Sequence, residues 1–195
     1  MTTGHLPDLT TDDLGKTRCS WCVTDPIYIA YHDEEWGKPV TDDRGLFEKI
    51  CLEGFQCGLS WLTILKRREG FRRAFADFDF ETLATWSTIE IDRLVQNEAI
   101  IRHRGKIEAT IHNASRAIEM QAAEGSLAEF FWQFQPSDAP VPKTLADVPG
   151  MTAESKRMSK ELKARGWKFV GPTTCYALMQ AMGMVNDHLS GCDWR

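Results

Sequence analysis

The stretch "ESKRMSKELKARGWKFVGPTTCYALMQAMG", residues 154–183, spells a helix, a tight glycine-bounded turn and a second helix. The first helix ends near Gly166, since glycine enters the left-handed C-cap conformation without steric cost. A short loop then holds Gly171, and Pro172 suits the first position of the next helix, where a missing N–H is not needed. Such a turn offers backbone N–H groups and a positive helix N-terminus to an anion. Lys156, Arg157, Lys160, Lys163, Arg165 and Lys168 gather here against only Glu154 and Glu161. Taken alone, the unit suits either phosphate binding or a plain αα-hairpin with a solvated lysine face.

Upstream the helical period continues. In "TDDRGLFEKICLEG" Thr41 is placed to cap a helix, Asp42 and Asp43 suit its first turn, and Phe47, Ile50, Cys51 and Gly54 form one stripe. Ser87 followed by Glu90, and Ser126 followed by Glu129, are capping-box signals. "GKIEATIHNASRAIEM" places Ile107, Ile111, Ala114 and Ile118 on one side of an amphipathic helix. Alternating β-branched runs between turn residues are missing, so no significant sheet is expected and the fold class is all-α. The proline-containing connector "QPSDAPVPKTLADVPG" separates the main helical block from the C-terminal unit, which extends over about 154–185. Residues 1–18 have neither the basic start nor the apolar core of a signal peptide, and are expected to be a flexible polar tail. Residues 19–195 are expected to form a single domain with a substantial apolar interior.

The 195 residues carry a formal net charge of −5, which by itself argues mildly against a nucleic-acid partner. The basic groups are clustered, however: besides the hairpin there are "LKRREGFRR" and "RHRGK". No apolar run approaches the roughly 20 residues of a membrane span. A cytoplasmic location is therefore expected, and the six cysteines are better read as metal or redox groups than as disulfides.

The two ends of the chain both carry metal-capable groups. Cys19 and His32 stand at C-x12-H, and His188 and Cys192 at H-x3-C, where a helical turn would put them on one face. Cys2His2 makes a closed tetrahedral zinc site, here a structural clip joining the termini, with no open position for catalysis. Cys22 also forms C-x2-C with Cys19 and could replace His32.

The segments "DPIYIAYHDEEWG", "LFEKICLEGFQCGLSWLTILKRRE", "IIRHRGKIEATIHNA" and "KFVGPTTCYALMQAMGMVNDH" together resemble the DNA-3-methyladenine glycosylase I family, constitutive alkylation-repair enzymes. The resemblance runs from about Cys19 to Cys192. It implies a helix-hairpin-helix glycosylase fold, a monomer acting on double-stranded DNA, and structural Zn2+ on Cys19, His32, His188 and Cys192. It implies a base pocket of Trp21, Tyr28, Tyr31, Trp36, Glu53 and Trp61, and DNA contact through Lys168, Phe169, Val170, Gly171 and Thr173.

The chemistry fits those residues. N3-methylation leaves adenine cationic, and electron-rich ring faces attract cations by about 0.5–2 kcal/mol per good contact. Stacking on Trp61 would also offset the stacking lost when a base is flipped out of the duplex. By position alone Glu53 is an ordinary helix glutamate. The resemblance makes it the catalytic residue, an anion that accepts from the adenine amine and stabilises positive charge on the base or sugar. Hydrolytic excision leaving an abasic site is expected, without strand cleavage, as no lysine nucleophile is indicated. Asp187 follows the hairpin where related glycosylases place a catalytic aspartate, but this family is understood to lack it, so it is expected to orient His188. The alternative is a zinc-stapled helical DNA-binding or adaptor protein without chemistry.

Overall fold

A computed structural model describes residues 7–195. It is dominated by helices, as expected. They are α1 (Pro26–Glu34), α2 (Asp43–Gln56), α3 (Trp61–Leu65), α4 (Arg68–Ala74), α5 (Phe80–Ala84), α6 (Thr88–Leu94), α7 (Arg104–Glu124), α8 (Leu127–Trp132), α9 (Ala153–Ala164) and α10 (Pro172–Ala181). Among the described residues, no helix is long and apolar enough to cross a membrane.

α2 is the central rod. Its expected stripe of Phe47, Ile50, Cys51 and Gly54 is buried, and Leu46, Leu52, Glu53 and Phe55 are buried with it. The N-cap is Asp42 and not Thr41: the Asp42 carboxylate accepts from the Gly45 N–H at 2.7 Å. A side chain at Gly45 would collide with that carboxylate, so the cap and the glycine belong together. Phe55 of α2 packs with Phe71, Phe75 and Phe78, all fully buried, each ring stabilising the fold by roughly 1.5–3 kcal/mol.

α7 carries Ile107, Ile111 and Ala114 inward, but Ile118 lies 38% exposed and Ala117 and Met120 continue the buried face instead. The helix drifts in phase over its 21 residues, so an early stripe does not predict the far end. The capping box at Ser87 is complete, while Ser126 accepts from the Glu129 N–H.

Two departures concern the termini. Residues 1–6 of the expected tail lie outside the described residues. From Leu9, however, the supposed tail is an antiparallel hairpin, β1 (Leu9–Thr11) and β2 (Thr17–Cys19), with Leu9 opposite Cys19. Asp12 closes its turn by accepting from the N–H groups of Leu14 and Lys16. Thr17 then exchanges two 2.9 Å bonds with Asp193. A partner 176 positions away left no local signal. The second departure is that His188 and Cys192 lie in irregular chain after α10, not on a helical turn.

The C-terminal unit forms as its sequence spells. Gly166 ends α9 at φ +82°, and Pro172 opens α10. The far end of α10 is tied to the segment after α1: Gly37 N–H donates to Gln180 O at 3.1 Å and Val40 N–H to Met182 O at 3.0 Å. Gly183 makes this approach possible, because it has φ +76° and a Cβ would lie 2.3 Å from the Lys38 carbonyl carbon. Gly183→Ala is therefore expected to lower the unfolding free energy by about 2 kcal/mol or more in a urea titration.

Candidate functional site

The cavity between α1, α2, α3 and α10 has a volume of about 170 Å³ and is lined by Trp21, Tyr28, Tyr31, Trp36, Glu53, Gln56, Trp61, Ala177 and Gln180. All six residues expected for the pocket are brought together there. α1 starts at Asp25, whose side chain accepts from the Ile27 N–H, with Pro26 at the first position. That start sets Tyr28 and Tyr31 one turn apart on the cavity face. Trp61 opens α3 behind the Ser60 cap. Tyr31 and Trp61 lie 5.4 Å apart, tilted by 50°, while Trp21 meets the edges of Tyr28 at 4.8 Å and Trp36 at 5.0 Å.

Glu53 is only 4% exposed, and its Oε2 has no hydrogen-bond partner. Burial pushes the carboxyl up to about 8, an effect Lys49 one turn earlier only partly offsets. The expected anion is thus largely neutral in the empty cavity at pH 7. Trp61 Nε1 is a second buried polar atom without a partner. Burial also raises Tyr28 to about 12 and holds Tyr31 well above the usual phenol range, so both hydroxyls keep their protons. The cavity therefore combines ring faces, one unsatisfied donor and one unsatisfied acid.

A larger hollow of about 340 Å³ lies across Tyr31 and Trp61. Its arginines are already paired, Arg68 with Glu35 and Arg72 with Glu48. The smaller cavity, with its unpaired polar atoms, is the better candidate.

Gln56, Ala177 and Gln180 were not foreseen as lining residues. Gln56 lies three residues after Glu53 on the same helix, a spacing that could have marked it. Ala177 and Gln180 enter only through the packing of α10 beside α2.

Behind the rings sits the terminal cluster. Cys19, His32 and Cys192 are buried and offer ligand atoms all within 4.8 Å of one another. Neither cysteine is in a disulfide. Cys22 turns away, its Sγ donating to the Cys19 carbonyl at 3.2 Å, so His32 and not Cys22 belongs to this group. His188 is next to this group but outside it: its ring packs edge-on at 4.5 Å from His32, and its Nε2 lies 3.2 Å from the His32 carbonyl oxygen. Both histidines direct Nδ1 at an oxygen, Asp33 Oδ1 at 2.7 Å and Asn186 Oδ1 at 2.8 Å, so Asn186 and not the expected Asp187 orients His188, Asp187 being turned to Tyr176 and Gln180. For His32 the Nδ1 so placed carries the proton and leaves Nε2 as the lone-pair nitrogen, as a metal-binding histidine requires, whereas His188 directs both ring nitrogens at oxygens. Burial lowers both imidazoles, His188 to about 4, which keeps them neutral. A buried set of two thiols and imidazole suits zinc.

At the hairpin, Lys168, Phe169 and Thr173 are exposed, but the Val170 side chain is 2% exposed and belongs to the core. Contact of Val170 with a ligand is therefore left to its main chain. Asn113 clamps the turn, donating to Lys168 O at 3.0 Å and accepting from Lys168 N–H at 2.9 Å. Phe169 sits at φ +57°, strained for a residue other than glycine. α10 starts with no side-chain cap, leaving first-turn N–H groups for another acceptor.

The other basic clusters are largely spent. Lys66 pairs with Asp25 at 2.6 Å, Arg72 with Glu48 and Glu69, and Arg104 with Asp92. Lys106 is buried and donates to the carbonyls of Phe55 and Cys57, capping the end of α2.

Comparison with known proteins places the chain. The methyladenine glycosylase family model matches residues 21–195. The chain is 50% identical over 177 residues to DNA-3-methyladenine glycosylase 1 of Escherichia coli K12, covering 90% of this chain and 95% of that protein. It is likewise 50% identical over 179 residues to DNA-3-methyladenine glycosylase of Haemophilus influenzae, covering 90% and 96%. A crystal structure of 3-methyladenine DNA glycosylase I superposes with a TM-score of 0.87 at 50% identity, covering 90% of this chain and 98% of that one. The Staphylococcus aureus enzyme, solved to explain 3-methyladenine recognition, gives 0.86 at 35% identity, covering 90% and 95%. The helical fold is thus that of base-excising DNA glycosylases. The chain belongs to the methyladenine glycosylase family.

Glu53 has a folded-state pKa above its ordinary 4.5, so its contribution to stability is complete below that value and is lost as pH rises through about 8. Glu53→Gln removes the titration. In urea unfolding the variant is expected to match the parent near pH 4.5 and to exceed it by about 1–3 kcal/mol near pH 9.

Proposed function

We propose that the protein is a DNA repair glycosylase that excises 3-methyladenine from alkylated double-stranded DNA by hydrolysis, as a cytoplasmic monomer, leaving an abasic site. The observation that carries this reading is the buried Glu53 oxygen without a partner, facing a cavity walled by Trp and Tyr rings. A neutral adenine gains stacking there and little more. A methylated, cationic adenine adds attraction to the ring faces and to the acid, and draws the proton off Glu53 as it enters. The carboxylate so formed stabilises charge spread between the departing base and the sugar. The positive base is already a good leaving group, so no general acid is needed.

DNA is held by the turn between α9 and α10, a helix-hairpin-helix element. The uncapped start of α10, with Gly171 and Thr173, offers N–H groups to a phosphate, and exposed Lys168 adds charge. The zinc ligands are Cys19, His32 and Cys192, with His188 as the fourth. Bound zinc would supply a structural cross-link and no chemistry in the reaction.

Two experiments test this. Release of free 3-methyladenine from methylated duplex DNA should fall by roughly 10–100-fold in Glu53→Gln while DNA binding changes little. In the parent, kcat/KM should rise with pH to a plateau above about 8, a rise absent from the variant. Parallel losses of binding and excision, or no release by the parent, would favour a non-catalytic DNA binder. Separately, the protein should hold one zinc per chain by elemental analysis. Cys192→Ala should lose it and unfold several degrees lower, at a cost of about 2 kcal/mol or more.

A further inference from the structure

Gln180 lines the cavity from α10, where no acid-base or stacking role has been given to it. Its amide is not free to turn. Nε2 donates to Asp187 Oδ2 at 2.8 Å, and the same oxygen accepts from the Tyr176 hydroxyl at 2.6 Å. Asp187 is 7% exposed and Tyr176 4%, so the anchor that holds the half-buried Gln180 amide is itself buried. A carboxylate oxygen carries no hydrogen, so only the nitrogen end of the amide can face it. Flipping the amide would set oxygen against oxygen. The main chain is fixed too, because Gln180 O accepts from the N–H groups of both Gly37 and Gly183. Among the described residues Oε1 takes no hydrogen bond from the protein.

We infer that Gln180 determines base specificity: Asp187 holds its amide so that the oxygen is offered to the cavity, where it accepts a hydrogen from the exocyclic amine of a 6-aminopurine. This deepens the proposed function and rests on it. The amine has two hydrogens, and Glu53 with Gln180 supplies one acceptor for each. A 6-oxopurine presents a carbonyl at the same position, which the Gln180 oxygen can only oppose, so it is held more weakly. Gln180 thus favours N3-alkylated 6-aminopurines over their 6-oxo counterparts. Asp187 is a positioning residue, acting through Gln180 and not on the base.

The test compares binding of 3-methyladenine, 3-methylpurine (no group at position 6) and 3-methylhypoxanthine (a 6-oxo base), by calorimetry on the intact, zinc-loaded protein. Gln180→Met keeps the length and loses the acceptor. It should weaken 3-methyladenine by about fivefold or more, the scale of one hydrogen bond, and leave 3-methylpurine within about twofold. Its discrimination against 3-methylhypoxanthine should shrink accordingly. Should that variant not fold, Gln180→Ala is read by the same ratios. Asp187→Asn should weaken 3-methyladenine in the parent background and not in the Gln180→Met background; equal effects in both would reduce Asp187 to a structural role and overturn its positioning. Equal weakening of 3-methyladenine and 3-methylpurine by Gln180→Met, or no change in either, would overturn the specificity role while excision by the parent kept the proposed function intact. A parent that neither binds 3-methyladenine nor releases it from DNA would overturn both.

Discussion

An unpartnered carboxyl oxygen inside an apolar interior costs a protein on the order of 1–3 kcal/mol, and Glu53 stands in that condition. The helix around it gives it no escape. Leu52, Gly54 and Phe55 are buried on either side, so the side chain cannot swing to water without unpacking α2. Burial pushes the carboxyl up to about 8, so below that pH it stays largely protonated, and a positive charge in the cavity would lower it. In the proposed function, arrival of a cationic base is coupled to proton loss from Glu53. A neutral base would bring no such compensation.

The rings around Glu53 are also the link between the cavity and the joined termini. Trp21 touches Tyr28 on the cavity side and packs 5.2 Å from His32 on the other, while Trp36 lies 4.7 Å from His188. Cys19 meets the Leu189 N–H across 170 residues. Closing so long a loop costs only logarithmically more than closing a short one, so a cross-link there is thermodynamically reasonable. Its structural consequence would be local, fixing the wall against which the base would stack.

The hairpin solves a different problem, that of offering backbone to an anion without letting it fray. Phe169 is held at positive φ and packs against Gly54, where a Cβ would come within 3.4 Å. Asn113 then locks Lys168 from α7. The turn that would hold DNA and the helix that carries Glu53 are therefore one rigid assembly. A net charge of −5 is compatible with this, because the arginines elsewhere are largely paired.

The helices, the α9–α10 turn and the buried stripe of α2 were legible in the sequence because each rests on contacts within a few residues: caps, glycine stops and the 3.6 period. The gathering of Trp21, Tyr28, Tyr31, Trp36, Glu53 and Trp61 was legible only through resemblance, since no spacing rule brings five rings to one acid. What the tertiary structure alone decided involves partners far apart along the chain. The protonation of Glu53 depends on how completely its neighbours exclude water. The β1–β2 hairpin depends on Asp193, the choice of His32 over Cys22 depends on where Cys192 arrives, and the fixed amide of Gln180 depends on Asp187 beyond the end of its helix. Local propensity acts over one or two turns, whereas burial and long-range hydrogen bonds exist only once the chain has closed on itself.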